Sequence, residues 1–169
     1  MRARPVLAAL TLVLAAVVIQ TTVFAPGMIQ PFGAAPNVVL LTTIATARYL
    51  ETEAALLVGF TAGFLVDLLG GAPLGLWAIS LTVVAYVAIR LKPRAELGPL
   101  MIAAGVFGLT LLGQVVFVFV GTLFGQETVS DPQLIRKIIL PAVYNVILAA
   151  PVFWVASKAL HPSVRRWAT

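Results

Sequence analysis

The chain has no cysteine, a single histidine and only six acidic side chains in 169 residues. Without cysteine, disulfides, thiolate catalysis and cysteine-based zinc or iron–sulfur sites are excluded, although the absence says nothing about compartment. His161 stands beside Pro162 near the end of the chain, and the carboxylates do not cluster by spacing, so no nucleophile, base or metal constellation can be assembled. The reading is therefore not an enzyme, with no catalytic, cofactor or metal site. Charge is scarce too: charged residues make up 10% of the chain and hydrophobic ones 61%, whereas a soluble domain is nearer half apolar even with glycine counted. Such a chain belongs in a bilayer. Its net charge of +5 does not point to nucleic acid, because the Lys and Arg residues lie at the ends of apolar runs, as topology signals do. No polar block is long enough to fold separately, so residues 1–169 read as a single integral membrane domain.

What is present is a series of apolar runs. Arg2 and Arg4 precede Val6–Phe24, an uncharged stretch close to the roughly 20 residues needed to cross about 30 Å of hydrocarbon. A cleaved signal peptide is the competing reading, but the run is long for an h-region and Pro26 follows the only weak small-residue site, Ala25. Pro26–Pro36 is an uncharged loop or shallow re-entrant piece, and Pro36 suits a helix first turn. The second span, 36–49, is short and must tilt, borrow flanking residues or sit where the bilayer is pinched. Glu51, Thr52 and Glu53 are expected to cap and charge the start of a third span, 54–69; at i and i+2 the two glutamates face apart and do not form an acid–base pair. A fourth span covers 74–91 and a polar turn follows at Lys92–Glu96. The fifth span, 99–124, contains Gly105, Gly108, Gly113 and Gln114 and ends in a Gly121-x-x-x-Gly125 spacing that suits tight helix packing. A second polar turn, Gln126–Pro132, carries Glu127 and Asp131. The sixth span, 138–160, should kink at Pro141 and Pro151.

Orientation follows from the basic residues. With the amino terminus inside, the inner side holds Arg2, Arg4, Arg48, Arg90, Lys92, Arg94, Lys158, Arg165 and Arg166, and the outer side Arg136 and Lys137, which is nine against two. The fold expected is an all-α polytopic bundle of six transmembrane helices with both termini cytoplasmic. The tail, with Arg165, Arg166 and Trp167, would lie against the inner leaflet.

The rest of the chain is organised around Gly59–Gly75, GFTAGFLVDLLGGAPLG. Gly59, Gly63 and Asp67 stand at i, i+4 and i+8, so on a helix two small residues and a carboxylate share one face. Glycine there lets a neighbouring backbone approach in lipid, where the hydrophobic effect no longer drives helices together. A carboxylate is costly facing lipid and should meet a donor in protein or water. Two uses of Asp67 are compatible: it can accept bonds from the free amides of the next helix near Leu74–Leu76, or it can serve a partner. Gln20, Gln114 and Asn145 are the other embedded polar residues, each suited to one interhelical hydrogen bond.

Pro36-Asn37-Val38-Val39-Leu40, then Gly59-Phe60-x-x-Gly63-Phe64-Leu65-x-Asp67-Leu68, then Leu74-Gly75, resembles the rod-shape-determining MreD family of bacteria. The basic amino terminus, Gln20 ending the first span, and Tyr144-Asn145 with Pro151 in the last extend the likeness over nearly the whole chain. Where Asn37 stands, the family usually has Asp. The resemblance implies a non-enzymatic, multi-pass protein of the bacterial inner membrane that works with the bitopic protein MreC in the elongation complex. The other members of that complex would be MreB filaments, the RodA glycosyltransferase and a penicillin-binding transpeptidase, which together direct lateral peptidoglycan synthesis and cell shape. Gly59, Gly63, Asp67 and Gly75 would then form a structural or partner seam, with Asn37, Gln114 and Asn145 as secondary candidates. The family is in turn similar in helix arrangement to the substrate-binding S components of energy-coupling-factor vitamin transporters, which supplies the alternative function. A vitamin binder needs several convergent polar or aromatic groups on its outer side, and the outer loops offer little beyond Gln126, Glu127 and Asp131.

Overall fold

The apolar runs fold into six helices of unequal length. In the computed structural model, which describes residues 3–25, 28–71, 73–93, 98–126 and 131–160, these are α1 (Ala3–Thr22), α2 (Val38–Ala47), α3 (Thr52–Leu69), α4 (Leu76–Leu91), α5 (Pro99–Leu123) and α6 (Leu134–Leu160). α1, α3, α5 and α6 are long and apolar enough to cross a membrane, whereas α2 and α4 are shorter. The carboxy-terminal tail, Glu127 and the Arg94–Glu96 part of the first polar turn lie outside the described residues.

The helices form a closed ring in which α1 packs on α3, α3 on α4, α4 on α5, α5 on α6 and α6 back on α1, and α2 touches all five. α2 is therefore the axis of the bundle, and every one of its ten residues is buried. Its composition permits this, because VVLLTTIATA carries no charge and the hydroxyls of Thr43 and Thr46 donate to the carbonyls of Val39 and Thr42 one turn back, both at 2.9 Å. The core is made of small and branched side chains such as Val13, Val17, Leu40, Leu41, Val58, Leu81 and Val84. Around it, large apolar side chains on the ring point outward, Leu7, Phe119, Ile135 and Ile147 among them. That arrangement suits a helix bundle solvated by lipid.

Several boundaries differ from the sequence reading, each for a physical reason. The run at 36–49 is helical only over Val38–Ala47, because Asn37, not Pro36, opens the helix. At about 1.5 Å per residue α2 rises only about 15 Å. Its tilt is set by the five helices packed around it, since all ten of its residues are buried. Ala34 and Pro36 are already buried, so the chain enters the protein before the helix starts. α6 begins at Leu134, four residues before the expected 138, which places Arg136 and Lys137 within its first turns. Asp131 opens that helix by accepting from the amide of Gln133 and from Lys137, and these two bonds hold its carboxyl below the ordinary carboxylate range. α6 then continues through Pro141 and Pro151 as one helix. Glu51 occupies the N-cap position of α3 and Glu53 its first turn, but the Glu51 side chain makes no capping bond, so the contribution of the glutamates there is electrostatic.

Gly125 also has a different use from the one its spacing suggested. It lies at φ +78°, with its amide bonded to Thr122 and the next amide, Gln126, bonded to Gly121. This is a Schellman stop, in which glycine ends the helix by taking the left-handed conformation.

Candidate functional site at the capped ends of the short helices

The two short helices begin inside protein, and a buried helix start leaves amides without partners unless side chains supply acceptors. Each start is met by embedded polar residues, at the same end of the bundle. The antiparallel packing of α3 on α4 sets up the first. Gly59 lies against Leu81 and Ala85, and Gly63 against Trp77 and Ala78, so the α4 backbone runs directly over the glycine face. A Cβ on Gly59 would come within 2.9 Å of the Leu81 carbonyl oxygen, and one on Gly63 would fall on the Trp77 carbonyl and 2.5 Å from the Ala78 Cα. One turn further on, Asp67 is buried and receives three backbone amides. Its Oδ2 accepts from Gly75 at 2.9 Å and Ala78 at 3.1 Å, and its Oδ1 from Trp77 at 3.1 Å. The carboxylate thus caps α4 from a neighbouring helix and sits at the positive end of its dipole.

Gly75 belongs to this arrangement through its conformation. It is the N-cap of α4 at φ +101°, a backbone state that side chains disfavour, and a Cβ there would meet nothing within 4 Å. The seam is therefore two packed glycines and a carboxylate, closed by a turn glycine.

The second start is that of α2. Asn37 Oδ1 accepts from the Leu40 amide at 3.0 Å, and Gln20 Oε1, reaching from the end of α1, accepts from the Val38 amide at 2.8 Å. Asn145 on α6 donates through Nδ2 to the Asn37 carbonyl at 3.0 Å and to Thr110 Oγ1 of α5 at 3.2 Å. The neighbouring Tyr144 donates its hydroxyl to the Pro31 carbonyl at 2.8 Å. Two consecutive residues of α6 thus hold both ends of the segment leading into α2. Asn145 Oδ1 is the one buried side-chain polar atom without a partner among the described residues. Rotating the amide would not help, because its oxygen would then face the Asn37 carbonyl, which can only accept.

Sequence reasoning placed Asn37, Asn145, Gln20, Gly59, Gly63, Asp67 and Gly75 on the page but not their division into two joints. Gln114 does not join either: half-buried on α5, it makes no side-chain hydrogen bond among the described residues, contrary to the single bond expected of it. Thr110 was missed. A threonine within an apolar run normally bonds its own helix, as this one does to Val106, and nothing in the sequence marks it as the partner of Asn145. The Pro31–Gly33 turn was missed as well; Phe32 there has φ +53° and is 77% exposed. Among the described residues no group of His, Asp and Glu could hold a metal ion.

A family model, rod shape-determining protein MreD, matches residues 2–158. The chain belongs to the MreD family. Membership carries a role in rod-shape determination within the cell-elongation machinery, a non-enzymatic one, at the inner membrane. No curated protein and no solved structure matches the chain. For an MreD protein without chemistry of its own, the two capped joints are what the embedded polar residues build, and the outward apolar faces are what remains for contact.

Proposed function

We propose that this MreD protein is a membrane-plane scaffold, one integral domain over residues 1–169 that crosses the inner membrane six times with both termini cytoplasmic. It would bind an MreC-like bitopic protein, a RodA-like glycosyltransferase and a penicillin-binding transpeptidase, and MreB filaments indirectly. The observation that carries the reading is the use of the embedded polar groups. Asp67, Asn37, Gln20 and Asn145 are engaged with helix starts inside the chain, so they do not converge on a substrate cavity. An S-component-like vitamin binder would need such convergence. The faces left free are apolar helix surfaces, suited to other transmembrane helices.

The distribution of charge supports the orientation. Among the described residues, Arg4, Arg48, Arg90, Lys92 and Lys158 lie at the end of the bundle away from Asp67, and Arg136 and Lys137 at the Asp67 end. α2 can complete a crossing despite its length. Its helix supplies about 15 Å, and the four residues 34–37, if fully extended, add at most about 13 Å, together close to the roughly 30 Å of a hydrocarbon core. Non-helical backbone at that depth is tolerated because it is buried in protein. The test is a pull-down of the tagged chain from its native membrane in mild detergent. Cell-wall elongation proteins are the expected companions; recovery of transporter ATPases with their membrane subunit in their place would overturn the scaffold.

A further inference from the structure

At the end of the bundle opposite Asp67 lies a cavity of about 260 Å³ that neither capped joint uses. Its walls are the last turns of α2 and α4, the first turns of α5 and the far part of α6, with Ile44, Ile102, Leu109 and Phe153 making it apolar. Two basic side chains, Arg48 and Lys92, line the same cavity. Both are half-buried, and neither has a carboxylate partner among the described residues; Glu51 and Glu53, the nearest acids in the chain to Arg48, are exposed and form no ion pair with it. α5 starts beside them with Gly98 at its N-cap, and among the described residues no side chain caps its first amides. Met101 and Ala104, which also line the cavity, are exposed on the ring, so it opens sideways toward lipid. Gly105 keeps it open: a Cβ there would meet nothing within 4 Å.

We propose that this cavity holds an acyl chain of an anionic phospholipid of the inner leaflet, with the headgroup phosphate between Arg48 and Lys92. Apolar walls with a lateral opening fit a stretch of hydrocarbon, the rest of which stays in the bilayer. Two cations with no carboxylate partner, beside a helix start with no side-chain cap among the described residues, fit a phosphate better than a zwitterionic headgroup, whose own amine would oppose them. A partner's transmembrane helix would bury those two cations without neutralising them, which is costly. The site rests on the proposed orientation only for the choice of leaflet.

The test uses the full chain purified in detergent, titrated with phosphatidylglycerol or with phosphatidylcholine of the same acyl chains, and read by native mass spectrometry. Binding measured in this way depends neither on membrane orientation nor on partner proteins, so its failure would leave the scaffold standing. One phosphatidylglycerol is expected to bind at least about tenfold more tightly than phosphatidylcholine, and Arg48→Gln and Lys92→Gln should each weaken it about fivefold. Gly105→Leu should abolish this first binding step for both lipids while the protein stays monodisperse, and Arg136→Gln, at the other end of the bundle, should change nothing. Equal affinities for the two lipids, or phosphatidylglycerol binding unaffected by the Arg48→Gln, Lys92→Gln double variant, would overturn the site. So would Gly105→Leu that binds lipid normally but no longer retains the elongation proteins, since the cavity would then be a partner's groove.

Discussion

Removing the Asp67 carboxylate should cost more than any other single polar deletion in the bundle. Three backbone amides depend on it, those of Gly75, Trp77 and Ala78. Hydrogen bonds in membrane proteins average about 0.6 kcal/mol and reach about 1.7 kcal/mol, so loss of all three in Asp67→Leu should cost about 2–5 kcal/mol. Asp67→Asn separates charge from bonding. If its carbonyl takes the place of Oδ2 it can still serve Gly75 and Ala78, but its amide then meets the Trp77 N–H donor to donor, for a loss of about 1–2 kcal/mol. The assay is thermal unfolding of the purified variants, paired with protein abundance and rod-shape complementation in a deletion strain. If Asp67 acts only as the α4 cap, shape fails in proportion to the folded protein lost. If it also meets a partner, Asp67→Asn leaves the protein abundant and the cells misshapen. Unchanged stability of Asp67→Leu would refute the reasoning, since three amides at a buried helix start would then have needed no acceptor.

Other substitutions separate packed from open positions. Gly63→Ala should destabilise by about 1–3 kcal/mol or more in thermal unfolding, because its Cβ meets α4 backbone rather than a movable side chain. Gly108→Leu, where a Cβ meets nothing within 4 Å, should fold normally, and loss of co-purifying elongation proteins from that variant would mark the face as a contact. Asn145→Leu removes two hydrogen bonds but also an unpaired oxygen, for a net cost of about 1 kcal/mol, whereas Asn145→Asp, which turns carboxylate oxygens toward the Asn37 carbonyl, should cost about 3 kcal/mol or more by the same measurement. Single cysteines at positions 51 and 92 should resist an impermeant thiol reagent in intact cells and those at 33 and 71 should react, as six crossings with inner termini require. The Asp131 pair has a defined pH window. Its folded pKa is depressed, so its stabilisation is present above the unfolded value near 3.8 and is lost as pH falls through the lower folded value; the stability difference between wild type and Asp131→Asn should be flat from pH 5 to 7 and shrink below pH 4.

The long runs gave themselves away by length and lack of charge, and α1, α3, α5 and α6 lie near where the sequence put them. α2 also lies within its expected run, but its place at the centre of the bundle was not legible, because a helix packed among other helices is as apolar as one facing lipid, and periodicity cannot distinguish them. The glycine–aspartate face was legible for the opposite reason: one embedded acid has few acceptable environments, and the amides after the Gly70–Gly75 break were the nearest unsatisfied donors in sequence. The α2 joint joins residues from α1, the lead segment, α5 and α6, with Asn145 separated from Asn37 by 108 positions. No local spacing encodes such a meeting. Gly125 misled because the last glycine of a helix-packing spacing and a Schellman stop can share one position; its φ separates them, while Gly121 remains buried within α5.

The two joints also explain where a charge is required. At position 37 the cap serves a single amide, that of Leu40, and one oxygen suffices, so an amide side chain can do what the aspartate usual in the family would do. Its backbone carbonyl already receives Leu41 and Asn145, and the neighbouring Val38 amide is taken by Gln20. Donors and acceptors around α2 are therefore shared among neutral groups. At position 67 three amides converge, and a side chain with one acceptor oxygen leaves at least one of them opposed by a donor. A carboxylate presents two oxygens with room for all three. The number of amides that fall to one side chain at each helix start, and not its depth in the bundle, thus decides which joint tolerates a neutral residue, and it makes Asp67 the position at which an amide should fail first.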